Sequence, residues 1–154
     1  MLLAEALNER ADAQRRLVDL RDRIGRNARV QEGEQPAEDP QALLDQAVDV
    51  SERIRVLIVA VNLTNTATAL PDGTTVTAAL ARRDALGRRI RVVTEAADRA
   101  AVKVARWGRA EIREVAMFDV AALRAEADRL AAERRDLDAD LQRINWTTEL
   151  AVDV

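Results

Sequence analysis

The apolar positions of this chain fall into four long stripes. Each steps by three and four residues, the spacing that keeps one helix face turned to a neighbour over several turns. The first stripe, Leu3, Ala6, Arg10, Ala13, Leu17, Leu20 and Ile24, predicts a helix over about 3–27. The second runs through Leu43, Ala47, Val50, Ile54, Leu57, Val61 and Thr64 and starts at Asp39-Pro40, an N-cap followed by a proline at the first helical position. Ile58 lies beside Leu57, so this apolar face is wider than a two-stranded coiled coil needs and predicts contact with more than one helix. A third stripe, Leu80, Arg83, Leu86, Ile90, Val93, Ala97, Ala100 and Val104, predicts a helix capped by Thr75 or Thr77, running to about Arg106 and stopped by Gly108 after Trp107. The fourth, Val120, Leu123, Ala127, Leu130, Arg134, Leu137, Leu141 and Ile144, is capped by Asp119.

The connections are polar. Val30 to Pro40, with Glu32, Gly33, Glu34 and Glu38, is an acidic linker too hydrophilic for a core. Asn62-Leu63-Thr64-Asn65-Thr66-Ala67-Thr68 is poor helix and predicts a turn or strand. Leu70-Pro71-Asp72-Gly73 then reverses the chain, with proline setting φ and glycine supplying φ > 0. Residues 111–118 predict a short strand through Ile112, Val115, Met117 and Phe118, with the extended Arg29-Val30-Gln31 as its partner.

The predicted fold is therefore all-α: an elongated antiparallel four-helix bundle, or a coiled-coil-like arrangement of two helical hairpins, with at most a very short two-stranded β element. One domain covers 1–154. It comprises hairpin 1 at about 3–66, a central turn at 67–76, hairpin 2 at about 77–145 and a C-terminal tail at 146–154.

The two hairpins echo one another. At an offset of 73 residues, Ala6, Leu7, Arg10, Arg15, Arg16, Leu17 and Leu20 meet Ala79, Leu80, Arg83, Arg88, Arg89, Ile90 and Val93. At an offset of 80, the second stripe falls on the fourth and Asn65 falls on Asn145. We read this first as heptads aligning by themselves in an Ala-, Leu- and Arg-rich chain, with a duplicated hairpin about a pseudo-twofold axis as the alternative.

Composition narrows the chemistry. The 154 residues are 48% apolar, but that fraction is Ala, Leu and Val, with two Trp, one Phe and no Tyr, which suits close-packed helices better than a sheet sandwich. Acidic residues outnumber basic ones by 27 to 24, which argues against a nucleic-acid partner, since phosphate binding asks for a basic face. The chain has neither cysteine nor histidine, and this removes disulfides, thiolate and imidazole catalysis and ordinary zinc or iron-sulfur sites. No cofactor is implied. The longest apolar run, Val56 to Val61, is too short to cross a bilayer, and Glu5 follows the first four residues without a signal-peptide pattern. A cytoplasmic protein without membrane partners is expected.

No residues form a catalytic constellation, and no metal site is read from the sequence. Glu32, Glu34, Glu38 and Asp39 lack the spacing of a calcium loop and read as a solvated connector. Arg10, Arg83 and Arg134 sit on stripes where burial would need a carboxylate, and Asp12, Asp84 and Asp138 are the nearest candidates. The Asn/Thr clusters at 62–68 and 145–148 belong to one end of an up-down bundle, where Trp146 would wall a small polar pocket. The ligand-binding candidates are accordingly Asn65, Thr66, Arg83, Asp84, Asn145 and Trp146.

Three segments carry a family resemblance. They are Arg10-Ala11-Asp12 through Asn27-Ala28-Arg29-Val30-Gln31-Glu32-Gly33-Glu34 with Pro36, Glu38, Asp39 and Pro40; Thr64-Asn65-Thr66 through Asp72-Gly73-Thr74-Thr75 to Arg83-Asp84; and Ile144-Asn145-Trp146-Thr147-Thr148-Glu149-Leu150. Over nearly its whole length the chain resembles a family of small bacterial helical proteins often labelled septicolysin. That label implies a thiol-activated cytolysin, a type that is large, β-rich and cysteine-bearing, features absent from these residues. The function expected first is a self-assembling helical structural or interaction protein forming a homo-oligomer, more readily than an enzyme. The alternatives are a small-molecule or hard-cation binding protein or enzyme using the polar end, and a membrane-active protein of septicolysin type.

Overall fold

The computed structural model describes residues 1–101, 115–152 and 154. Four α-helices make up the fold: α1 (Leu3–Asn27), α2 (Pro40–Ala67), α3 (Val76–Ala101) and α4 (Val120–Thr147). The backbone packs as two compact units. One holds Met1–Thr77 with Arg143–Val154, and the other holds Ala78–Gln142.

In the first unit α1 and α2 are antiparallel, tied at the middle of α2 by the Arg53 guanidinium on Glu9 (2.6 Å), while at the connector Arg23 of α1 pairs with Glu38. Between them lie two apolar clusters. Leu3, Ala6, Leu57 and Val61 form one, with Leu7 and Leu150 against it; Leu20, Leu43, Ala47 and Val50 form the other, with Leu17, Ile24 and Ile54. These are the predicted stripes. The acidic connector is held by a single buried amide: Asn27 donates to the Arg23 carbonyl (3.0 Å) and accepts from the Glu38 N–H (3.0 Å). Asp39 then caps α2 through the Gln41 N–H.

Residues 62–67 are helical, where a turn or strand is predicted. Thr64 and Thr66 donate their hydroxyls to the carbonyls of Ala60 (2.8 Å) and Asn62 (2.9 Å), a back-bond that lets β-branched residues sit in a last helical turn. Thr147 does the same to Arg143 at the end of α4. The strand expected over 111–118 is not formed at Val115 to Phe118, which are extended or bent and exposed. Residues 111–114, Trp107, Gly108 and the end of the third helix near Arg106 lie outside the described residues. Val30 is exposed as well. Among the described residues the β pairing is confined to two isolated bridges, Ala69 with Thr75 and Leu2 with Glu149.

Those bridges belong to two clasps of the same design. In the first, the α2–α3 turn, Thr68 N–H donates to Thr64, Val76 N–H to Thr68 and Leu70 N–H to Thr74. In the second, where the end of α4 meets the start of α1, Thr148 N–H donates to Ile144, Leu3 N–H to Thr148 and Leu150 N–H to Met1. Each pair of equivalent residues stands at the offsets of 73 and 80 found in the sequence. Buried positions follow the same offsets: Leu3 and Ala6 match Val76 and Ala79, while Val50, Leu57 and Val61 match Leu130, Leu137 and Leu141. Heptad coincidence does not extend to hydrogen bonds outside the helices, so the duplicated hairpin is the better account of the echo. One of the differences between the clasps is itself complementary. Pro71 has no N–H to satisfy, whereas its counterpart Ala151 has one and donates it to the buried Thr64 hydroxyl (2.9 Å).

In the second unit α3 and α4 are antiparallel, crossed by Arg82–Glu133 (2.8 Å) and Arg89–Glu126 (2.6 Å). Arg83 and Arg134 both stay at the partly exposed rim and share Asp138, with Arg83 also on Asp84. The expected partners of these two stripe arginines are thus confirmed. Asp12 instead pairs with Arg15.

Candidate interaction surface

The polar residues singled out in the sequence do not come together as one buried group. Asn65 and Thr66 end α2 and Asn145 and Trp146 end α4, in the first unit; Arg83 and Asp84 are in α3, in the second. Asn65 and Asn145 are half-buried at matching places in the two clasps, while Trp146 is 56% exposed. Arg83 donates to Asp84 through Nε (3.1 Å) and a terminal nitrogen (2.9 Å), a surface pair on one helix. Thr64 is the buried polar side chain in this region, and both its donor and acceptor roles are filled. No group of three or more acidic side chains poised to hold a metal occurs among the described residues. In the connector Glu38 is taken by Arg23, whose guanidinium holds the carboxyl below the usual carboxylate range, and Asp39 is occupied as a cap.

The surface carries a different signal on α2. Its inner face fills the core, yet its outer face exposes Leu44, Val48, Val59 and Leu63, with Ile58 at the margin. Val48 is 61% exposed, an unusual place for a β-branched apolar side chain to be left without reason. The repeat supplies the control. At the offset of 80, Leu44, Val48, Val59 and Leu63 fall on Arg124, Asp128, Ala139 and Arg143, all exposed. The matching surface is charged or small in α4 and aliphatic in α2. Glu52 and Arg55 lie in the middle of this outer face, hydrogen-bonded at 2.6 to 2.9 Å, the guanidinium holding the carboxyl below its ordinary range.

The sequence stripe of α2 was traced along its inner face, and the width at Ile58 is the trace of the outer one. Aligning the two copies at the offset of 80 is what separates a contact surface from a generally apolar composition. A groove of about 510 Å³ in the second unit is lined by Val92, Ala96, Val115, Met117 and Phe118 together with the charged Glu95 and Arg99.

Comparison with known proteins agrees with this fold. No curated protein matches the chain. A solved structure described as a functionally unknown conserved protein from Corynebacterium diphtheriae is 42% identical, with a TM-score of 0.89, over 97% of this chain and 98% of that one. The family of unknown function DUF6847 matches residues 10–150, and neither finding carries the septicolysin name. The chain belongs to DUF6847, a family of unknown function.

Proposed function

We propose that the protein is a self-assembling helical interaction module whose homo-oligomer is held through the outer face of α2. The observation that carries this is the contrast between Leu44, Val48, Val59 and Leu63 and the charged or small residues at the equivalent positions of α4. Full burial of a large aliphatic side chain is worth roughly 1.5 to 3 kcal/mol, and covering these four half-exposed ones yields about half of that each, which still favours association. The setting under this reading is the cytoplasm, and the helices act as a coiled-coil-like scaffold.

A ligand- or cation-binding role at the polar end finds less support. Trp146 is largely exposed, and the Arg83–Asp84 pair is satisfied at the surface. The lytic role attached to the septicolysin resemblance is weaker still: no helix among the described residues is long and apolar enough to cross a membrane. Light scattering coupled to size-exclusion chromatography, with EDTA and then with Mg²⁺ or Ca²⁺, tests the proposal. A fixed oligomer indifferent to metal is expected, whereas a monomer, or a mass that follows the metal, would contradict it.

A further inference from the structure

The outer face of α2 has a symmetry of its own. Leu44 and Leu63, Val48 and Val59, and Glu52 and Arg55 are each equidistant along the chain from the Arg53–Ile54 bond. Read in either direction, the helix presents Leu, Val, a charged residue, a charged residue of opposite sign, Val and Leu. The steps between these positions are four, four, three, four and four residues, which keeps all six on one side of a helix. Arg53 and Ile54, at the centre, turn inward: Arg53 to Glu9 and Ile54 to the cluster around Leu43.

We infer that the occupant of this face is a second copy of the same chain, docked antiparallel about a twofold axis at the Arg53–Ile54 bond. An isologous interface requires that residue i meet residue j while j meets i, and a palindromic stripe on one helix meets that condition by itself. Leu44 packs on the partner's Leu63 and Val48 on the partner's Val59, twice over. At the middle, Glu52 of each chain faces Arg55 of the other. A parallel pairing would set Glu52 against Glu52 and Arg55 against Arg55, so the charges select the direction as well as the partner. The present Glu52–Arg55 pair within the helix is exposed on both side chains and is available to be shared across the axis. Aspartates at 45 and 49 face the partner's uncharged stretch from Val56 to Ala67, which sets no like charges against them.

This inference rests on the self-assembly reading above, and its test separates the two. The chain has no cysteine, so substituted cysteines report the register without background. Under mild oxidation the full-length Val48→Cys/Val59→Cys double variant is expected to cross-link as a dimer, while Val48→Cys alone is not, because 48 meets 59. Val48→Asp, which installs the residue α4 carries at the matching place, is expected to halve the mass of the native dimer while leaving its helical circular dichroism intact. A native chain that is monomeric over the whole concentration range overturns both the assembly reading and this interface. A native oligomer whose mass Val48→Asp leaves unchanged keeps self-assembly itself but overturns the outer face of α2 as its seat, both here and in the reading above. Cross-linking through Val48→Cys alone overturns the antiparallel register.

Discussion

Thr64 shows how much one side chain does in this fold. Its hydroxyl donates to Ala60 inside α2 and accepts the N–H of Ala151, so a single oxygen ties the last turns of a helix to the segment at Ala151. Thr64→Val keeps the shape but leaves the Ala151 N–H without its acceptor; a loss of about 1 to 3 kcal/mol is expected in denaturant unfolding, largely restored by Thr64→Ser. Position 64 is legible in the sequence as a stripe residue, but its second role depends on a segment 87 residues away and is not. The Glu9–Arg53 pair sets a pH dependence. Its hydrogen bond to Arg53 holds the Glu9 carboxyl below its ordinary value, so between the folded and unfolded values the unfolded chain binds more protons. The contribution is complete above about pH 4.5 and is lost as pH falls through the lower folded value. Both side chains are more than a third exposed, so the effect is small, and Glu9→Gln is expected to flatten the acid limb of the stability curve only slightly.

At the scale of elements, helix positions follow closely from the 3- and 4-residue spacing. Starts at Leu3 and Pro40 and the Asp39 and Asp119 caps are all in place, because capping is local chemistry. What failed was also local in origin: threonines at 62–68 were read for their intrinsic preference, which the back-bonds to i−4 carbonyls override. Among the described residues the bridges form inside the clasps, at Ala69–Thr75 and Leu2–Glu149, and residues 111–114 of the expected strand lie outside them. The central turn behaves as its residues require. Gly73 has φ of +83° and donates to Leu70, while Asp72 accepts from Thr74. Gly73→Ala forces a side chain into that left-handed conformation and is expected to cost about 1 to 2 kcal/mol, read as a lower midpoint in thermal unfolding. Leu57, fully buried between α1 and α2, marks the core; Leu57→Ala is expected to cost about 2 to 5 kcal/mol in the same measurement.

For the whole molecule, the duplication was visible as an echo in the sequence, yet only the matched clasp hydrogen bonds distinguish it from heptads in register. The candidate polar site was gathered by supposing that the helix ends converge. The structure puts Asn65 and Asn145, both half-buried, at equivalent clasp positions and Arg83 with Asp84 as a surface pair on α3. The outer aliphatic face of α2 is harder to see in the sequence because its residues interleave with the core stripe one position away. Its meaning emerges once α4 shows what the same surface looks like when solvated. Self-association through that face makes Leu44→Arg/Val48→Asp a clean probe, since both residues are those α4 already tolerates at 124 and 128. Sedimentation equilibrium of the native chain beside this double variant is the most direct test. The native protein is predicted at about 34 kDa, twice its 17.0 kDa chain, and the variant at the mass of one chain. Equal masses for the two would contradict assembly through α2.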